Sequence, residues 1–396
     1  MKTNWRLPRG VDELLPPAAW QLEKLRRAVL DTFVGWGFEY VEPPIIEYLE
    51  SLLVGSGEDL DLQTLKVMDQ VSGKQLGVRA DMTSQAIRID AHSLIKDGVQ
   101  RLCYAGPVVF ASPVIAQNSR VPTKAGAEIF GAASLDADAE VIGLMLETMR
   151  VARVQSPVLL LGHMGIYRCL AEALITAGAL SENAEQELFR RVQRKSQADI
   201  RALLDDSELA DMMVCLPLFM GGVSMLDDAR QRLSNAPSGV LGAIDELQRL
   251  TTMVADLHEL QNVRLDLSEL SGYGYHNGPV FAVYHPQHGS ALAQGGRYDG
   301  VGEAFGRARP ATGFDVDLKN LIGQEAVRDV IFAPWVASNV RADLGRAVAL
   351  LRQQGERVCY ALAETETPGA DIQRVMVLVD EQWQVIPTDR SIDTSQ

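Results

Sequence analysis

The carboxylate of Asp81 and the hydroxyl of Thr83 stand two positions apart in Val78-Arg79-Ala80-Asp81-Met82-Thr83, which reads as a strand end running into a helix start. Their oxygens are suited to accept from the free backbone N–H groups in the first turn of a helix over Ser84–Leu94. Gly295-Gly296, read at a strand end, lets another group approach the backbone closely, without the spacing of a phosphate-binding loop. His285-Pro286-Gln287-His288 brings two imidazoles near each other in a turn, but no third ligand is close, so a metal pair is disfavoured. Cys103, Cys169, Cys215 and Cys359 are widely spaced with no C-x-x-C pair and read as buried reduced thiols. The run Arg190-Arg191-Val192-Gln193-Arg194-Lys195 is either a solvated helix face or a docking surface for an acidic partner.

The elements that must position Asp81 and Thr83 follow directly. Two apolar runs, Arg101–Ala111 and Ala125–Ala133, flank the polar, Pro-containing Ser112–Lys124. They read as a long antiparallel hairpin with an oversized loop, and loops longer than about 12 residues are usually functional or disordered. Upstream, Leu7–Pro16 is a rigid lead-in to a helix from Pro17 to about Trp36, with Leu22, Leu25, Val29, Leu30, Phe33 and Val34 at helical spacing. Phe38–Val41 alternates like a strand and is stopped by Pro43-Pro44. A polar tract over Gly55–Asp61 reads as a surface loop, followed by a short hairpin around Asp69–Lys74.

Ser134 or Asp136 caps a helix reaching about Val154, and Val158–Gly162 is a short buried strand. Tyr167 to Asn262 carries almost no strand signal and several amphipathic helices, as a helical insertion would. Strands return at Val263–Leu267, Gly278–Tyr284 and Ser290–Gln294, and Ala311–Ile322 reads as a short strand passing into a helix. From Val330 the pattern is strand, helix (Asp343–Gln353) and two further strands (Arg357–Leu362, Arg374–Val379). The expected division is 1–166 and 263–325 for a core, 167–262 for the insertion and 326–396 for a small α/β appendage.

The chain of 396 residues has room for two or three domains and a large core. Its 47% hydrophobic and 22% charged content is that of an ordinary soluble globular protein. A net charge of −15 and a pI near 4.9 argue against life on nucleic acid, which needs a basic face. The tail from Val330, with 6 basic against 9 acidic residues, is a poor RNA binder. Met1–Gly10 has no apolar stretch of a secretory signal, and nowhere do 18 apolar residues run together, so a cytoplasmic protein is expected.

The order of these elements resembles the catalytic core of histidyl-tRNA synthetase, a class II aminoacyl-tRNA synthetase. Leu7–Pro16, the first helix and Phe38–Pro44 are similar to the family's first motif. Arg79–Thr83, Tyr104-Ala105-Gly106-Pro107 and Gly126–Gly131 fall where the second motif runs. Ser271–Phe281 and Gly295–Asp299 resemble the two histidine-specific segments, and Gly313-Phe314 opens the third motif. The likeness is collinear over about residues 5–325. It implies an α+β fold: a class II synthetase-like antiparallel sheet flanked by helices, with a helical insertion and a small C-terminal α/β appendage.

The departures from that family decide the expected function. Phe110 stands where the family's arginine grips the α-phosphate of ATP, and Ser112 replaces a glutamate two residues on. Ser271 replaces an arginine that contacts the reacting carboxylate and phosphate, and Lys319-Asn320 stands where a Glu-Arg pair clamps the γ-phosphate. Loss of one such pre-placed cation costs about 10²–10³ in rate, so losing three leaves little basis for adenylation. No catalytic residue, cofactor or metal is expected.

The amino-acid end of the family's site is retained. By resemblance, Asp81 and Thr83 match the acid and hydroxyl that hold the α-amino group of histidine, and Glu128 matches the acid facing the ligand. Tyr275-His276 takes the place of a Tyr-Tyr pair at the imidazole end, Tyr298 lines the floor, and Lys124 stands where a glutamine is usual. Retained pocket and missing arginines are together the pattern of the regulatory subunits of ATP phosphoribosyltransferase, paralogues of the synthetase. That resemblance implies a hetero-oligomer, a hetero-octamer, with the short-form catalytic subunit. It further implies self-association as a dimer, L-histidine as allosteric ligand, activation of the partner and feedback inhibition, with neither tRNA nor membrane involved. An atypical active synthetase, a stand-alone histidine-sensing or RNA-binding module, and a structural dimer with an empty pocket remain the alternatives.

Overall fold

Helix α1 (Ala18–Gly35) lays one apolar edge on the protein core, with Val29 and Phe33 fully buried. The ring of Phe33 meets that of Phe314 edge-on at 5.8 Å. The chain leaves the helix through Gly37 at φ +87°, a conformation that glycine adopts without steric cost. A computed structural model describes residues 5–54, 58–112, 119–258, 262–270, 275–323, 329–369 and 372–388. The chain divides into two compact units, Met1–Gly323 and Gln324–Gln396.

In the first unit α1 leads to strands β1 (Glu39–Tyr40) and β2 (Ile46–Tyr48), helices α2 (Leu49–Leu52) and α3 (Glu58–Gln63), and the hairpin of β3 (Leu65–Met68) and β4 (Gln75–Val78). The hairpin turn is closed by Asp69, whose carboxylate accepts from the N–H groups of Val71 and Ser72. Glu58–Gln63 is helical where the sequence reads as loop, while residues 55–57 of that polar tract lie outside the described residues. Helix α4 (Thr83–Arg88) widens into a π turn at Ile89–Ser93 instead of continuing regularly to Leu94. The two apolar runs then form β5 (Gln100–Pro107) and β6 (Thr123–Phe130), paired antiparallel from Gln100↔Phe130 to Pro107↔Thr123.

Helix α5 (Leu135–Val151) and strand β7 (Val158–His163) follow, then the helices α6 (Met164–Thr176), α7 (Glu185–Gln193), α8 (Gln197–Leu203) and α9 (Glu208–Cys215). His163 caps α6 by accepting the Gly165 N–H on Nδ1 at 3.0 Å. A two-residue strand β8 (Met220–Gly221) precedes α10 (Met225–Arg232) and α11 (Ser238–His258), and it pairs with β9 (Val263–Asp266). Two residues are too few to leave an alternation in the sequence, and the strand was invisible there for that reason. In the basic run that ends α7, Arg190 and Arg191 pair with Glu187 of the same helix, and Lys195, just past it, pairs with Asp266 of the strand Val263–Asp266.

Strands β10 (Pro279–Tyr284), β11 (Ala293–Arg297) and β12 (Ala311–Asp317) complete a nine-stranded sheet in the order β1-β5-β6-β12-β11-β10-β7-β9-β8. The sheet is antiparallel except for the β1/β5 and β7/β9 pairs. Gly295 and Gly296 lie inside β11, not at a strand end. A Cβ on Gly295 would sit 2.2 Å from the carbonyl oxygen of Gly313, so glycine is needed where β11 and β12 close up. Beyond β12, Leu318–Leu321 is a single 3₁₀ turn and not the helix expected.

Side-chain alternation gives the sheet two faces. On one, Cys103, Ala125, Ala127, Ile129, Phe314 and Val316 join the large core beneath α1 and α5. On the other, Leu102, Tyr104, Phe130, Tyr298 and Ala311 pack with Met82, Ala86 and Ile87 at α4. That second face carries the candidate site.

The second unit holds β13 (Val330–Ala333), α12 (Ser338–Gln353), β14 (Arg357–Tyr360), β15 (Arg374–Val379) and β16 (Gln382–Pro387), with sheet order β14-β13-β15-β16. Leu344 and Val348 of α12 pack on Ile331, Ala333, Val358 and Met376. Strand β16 was not legible because its hairpin turn is Asp380-Glu381, both at positive φ (48° and 60°), where an Asn-Gly or Asp-Gly signal is usual. Among the described residues no helix is long and apolar enough to cross a membrane.

Candidate functional site

Glu128 occupies the middle of the second sheet face, on β6, and is buried to 1%. Its Oε1 accepts from the Tyr104 hydroxyl at 2.8 Å and its Oε2 from the Tyr298 hydroxyl at 2.6 Å. The Thr83 hydroxyl lies 3.1 Å from that of Tyr104, and donates to it when Tyr104 donates to Glu128. Four side chains from α4, β5, β6 and the end of β11 thereby form one buried polar chain. Glycines make the room: a Cβ on Gly313 would lie 1.5 Å from Glu128 Oε2, and one on Gly126 2.5 Å from the Tyr104 hydroxyl oxygen.

An aromatic group stands beside the carboxylate. The ring of Tyr275 lies 4.3 Å from that of His276 and 5.5 Å from that of Tyr298, centroid to centroid. His276 is buried at 6%, whereas Tyr275 is 36% exposed and forms the rim. Gly296 again supplies space, since its Cβ would meet His276 Nε2 at 3.0 Å. Ser271 and the rest of 271–274 lie outside the described residues.

At the other end, Lys124 on β6 pairs with Asp315 on β12. Asp81 accepts from the Ser84 N–H at 3.4 Å, as a helix cap does, while Thr83 points its hydroxyl into the site instead of capping. The seven residues expected from the sequence gather over one sheet face: Lys124 and Glu128 on β6, Tyr298 just past β11, Asp81 and Thr83 at the start of α4, and Tyr275 and His276 in the segment before β10. Tyr104 and Asp315 belong with them, and the two-residue alternation along β5 and β12 is the sequence signal that places them there.

The electrostatics favour a ligand that brings positive charge. Burial pushes the Glu128 carboxyl up to about 8, against the pull of its hydrogen bonds from Tyr298 and Tyr104, with Asp81 adding to the rise. Burial, followed by the charge of Asp315, also raises Asp81, although backbone N–H groups and Lys124 oppose this. For Lys124 burial acts downward, but Asp315, Asp317 and Asp81 outweigh it and hold the ammonium form. A donor approaching Glu128 relieves the burial of a bare carboxylate, so the group is poised to give up its proton on binding.

The residues that depart from the synthetase pattern at its phosphate-handling positions are tied into the protein. Phe110 packs against the Met82–Tyr104–Tyr298 cluster, and its carbonyl accepts from Arg120 Nε at 2.9 Å. Lys319 is drawn to Asp12 at 3.1 Å, an ion pair that consumes its charge. Arg79 is buried and spends Nε and Nη1 on the carbonyls of Pro107 and Pro43. Each of these groups is committed to holding the protein together.

Among the described residues no group of three or more His, Cys, Asp or Glu could hold a metal ion. His285 and His288 face each other at 5.5 Å, and His285 Nδ1 accepts the Gln287 N–H. The four cysteines are free, and burial pushes the Cys103 thiol up to about 12. A separate open groove of about 810 Å³ runs along α10 and α11, crossed by the Arg230–Asp245 ion pair at 2.7 Å.

Two family models match the chain. That of histidyl-tRNA synthetase covers residues 10–321, and that of the ATP phosphoribosyltransferase subunit HisZ C-terminal domain covers residues 328–386. The ATP phosphoribosyltransferase regulatory subunit of Chromohalobacter salexigens is 48% identical over 395 residues, spanning 97% of this chain and 98% of that one. The protein of the same name from Pseudomonas syringae pv. syringae is 47% identical over 391 residues, with 97% and 98% covered. Among solved structures, an ATP phosphoribosyltransferase regulatory subunit/histidyl-tRNA synthetase from Bacillus halodurans has a TM-score of 0.83 at 24% identity, over 95% of this chain and 98% of that one. Histidyl-tRNA synthetase from Nostoc sp. PCC 7120 has a TM-score of 0.78 at 15% identity, over 98% of each chain. Those two structures speak to the fold alone.

Proposed function

The chain belongs to the family of ATP phosphoribosyltransferase regulatory subunits, on a histidyl-tRNA synthetase-like fold, and from that premise we propose how its cleft is used. The protein is a non-catalytic regulatory subunit in histidine biosynthesis, and its partner is the catalytic ATP phosphoribosyltransferase subunit. The cleft is the feedback sensor: it takes L-histidine, with the imidazole end at Glu128, Tyr275, His276 and Tyr298 and the amino-acid end at Asp81, Thr83 and Lys124.

Supporting this reading is the contrast between the two ends of one cleft. The histidine end keeps a buried carboxylate, Glu128, held by two phenols, while Phe110 and the Asp12-bound Lys319 stand where phosphate would need free cations. Without the partner the protein carries out no reaction. Within the complex it activates the short-form catalytic subunit by contacts that favour the competent state. Histidine binds better to the other state and shifts the population by that difference in affinity. The coupling is reciprocal, so substrates that favour the active state weaken histidine binding.

The working assembly is a cytoplasmic hetero-octamer with the regulatory chain self-associated as a dimer. The apolar residues that α1 and its flank leave exposed, Trp20, Val34, Trp36 and Tyr40, suit such a contact. The test is calorimetric titration of the purified protein with L-histidine, paired with ATP–pyrophosphate exchange on the same sample. Saturable histidine binding with no exchange is expected. Exchange at a synthetase-like rate, or no binding of histidine by protein or complex, overturns the proposal.

A further inference from the structure

We infer that Lys124 is the anchor for the carboxylate of the bound amino acid, and so the residue by which the pocket tells L-histidine from its reduced or decarboxylated relatives. The inference rests on the reading of this cleft as a histidine site and assigns one of its ends. An amino acid brings an ammonium and a carboxylate into the same pocket, and each needs a partner once water is excluded. For the ammonium the sheet face is well supplied, with Asp81, Glu128, Asp315 and Asp317 all near. For the carboxylate those same groups are repulsive.

Lys124 is the cation that faces this cluster among the described residues. It stands on β6 with Gly126 and Glu128 on the same alternating face, and Asp315, Asp317 and Asp81 all hold its charge. Its side chain is 22% exposed, neither sealed in nor free in solvent. An ammonium has three N–H donors, and the ion pair with Asp315 uses one. The other basic groups nearby are committed elsewhere: Lys319 to Asp12, and Arg79 to two carbonyls. An amino acid lying with its ring at Glu128 and its ammonium at Asp81 presents its carboxylate toward Lys124. Asp315 then serves as a positioning residue that holds the lysine over the cleft.

The test compares L-histidine with L-histidinol, which keeps the ring and ammonium but carries a hydroxymethyl group for the carboxylate. Calorimetry on the full-length wild type is expected to show histidine bound at least about tenfold more tightly, the scale of one charge-assisted hydrogen bond. In Lys124→Gln the affinity for histidine falls about 10- to 100-fold while that for histidinol stays within a factor of about three, so discrimination collapses. Lys124→Arg retains the preference. The double variant Lys124→Gln/Asp315→Asn removes the lysine together with the carboxylate it pairs with, and it too discriminates poorly. Three results overturn the inference: discrimination that survives in Lys124→Gln, its recovery in the double variant, or tighter binding of both ligands without the lysine. Failure of the wild type to bind either ligand sinks the pocket reading itself, a distinguishable outcome. Asp81→Asn, weakening both ligands alike, checks that the pocket is the site measured.

Discussion

Replacing Glu128 by glutamine isolates the cost of keeping a carboxyl group under two phenols in the middle of a sheet face. The carboxyl titrates near 4.5 when unfolded and is pushed up to about 8 in the folded protein by burial. Below the lower value both states are protonated, and the group adds no pH dependence. Between the two, the folded state holds a proton that the unfolded state has released, so stability falls by about 1.4 kcal/mol per pH unit. Above about 8 both states are ionised and the penalty is constant. The full shift caps that penalty at about 5 kcal/mol, and relaxation of Tyr104 and Tyr298 brings the expected value to about 2–5 kcal/mol. Glutamine cannot ionise. Its amide accepts one phenol and meets the other with an N–H, a pH-independent loss of about 0.5–1.5 kcal/mol. Urea unfolding of both proteins between about pH 5 and 8.5 should therefore show Glu128→Gln less stable or equal at the acid end and progressively more stable than wild type toward pH 8. A stability difference that stays flat to within about 0.5 kcal/mol across that range would refute the reasoning.

Two further substitutions probe the scaffold under the site. Gly313→Ala places a methyl 1.5 Å from Glu128 Oε2 and 2.8 Å from the Ala127 carbonyl, so it should cost about 1–3 kcal/mol in denaturant unfolding and abolish histidine binding; unchanged stability and binding would show the face is looser than its geometry implies. Asp138→Asn removes the carboxylate that holds buried Arg297 at 2.6 Å, next to Tyr298, and should destabilise by about 3–5 kcal/mol, with a loss below about 1 kcal/mol contradicting the assignment.

The central hairpin was legible in its two apolar runs and the polar stretch between them, and the structure pairs the runs from Gln100↔Phe130 onward. The helices were legible where apolar periodicity is long, as at Leu22–Phe33 and Val141–Met149. What escaped was set by tertiary contact. The placing of Gly295-Gly296 within β11 follows from how closely β12 approaches, which no local pattern records. The bond from Tyr104 to Glu128 was not legible because the two lie twenty-four positions apart, across a register that sequence alone does not fix. The pairing of Lys319 with Asp12, more than three hundred residues earlier, is likewise a tertiary contact that no local pattern records.

The proposed sensing of histidine by this cleft is tested most directly by histidine inhibition of the reconstituted complex made with Asp81→Asn. Removing the charge that would face the ligand's ammonium should leave activation of the catalytic subunit intact and raise the histidine concentration for half-inhibition at least about tenfold. Inhibition at the wild-type concentration, with the variant properly assembled, would place the sensor elsewhere.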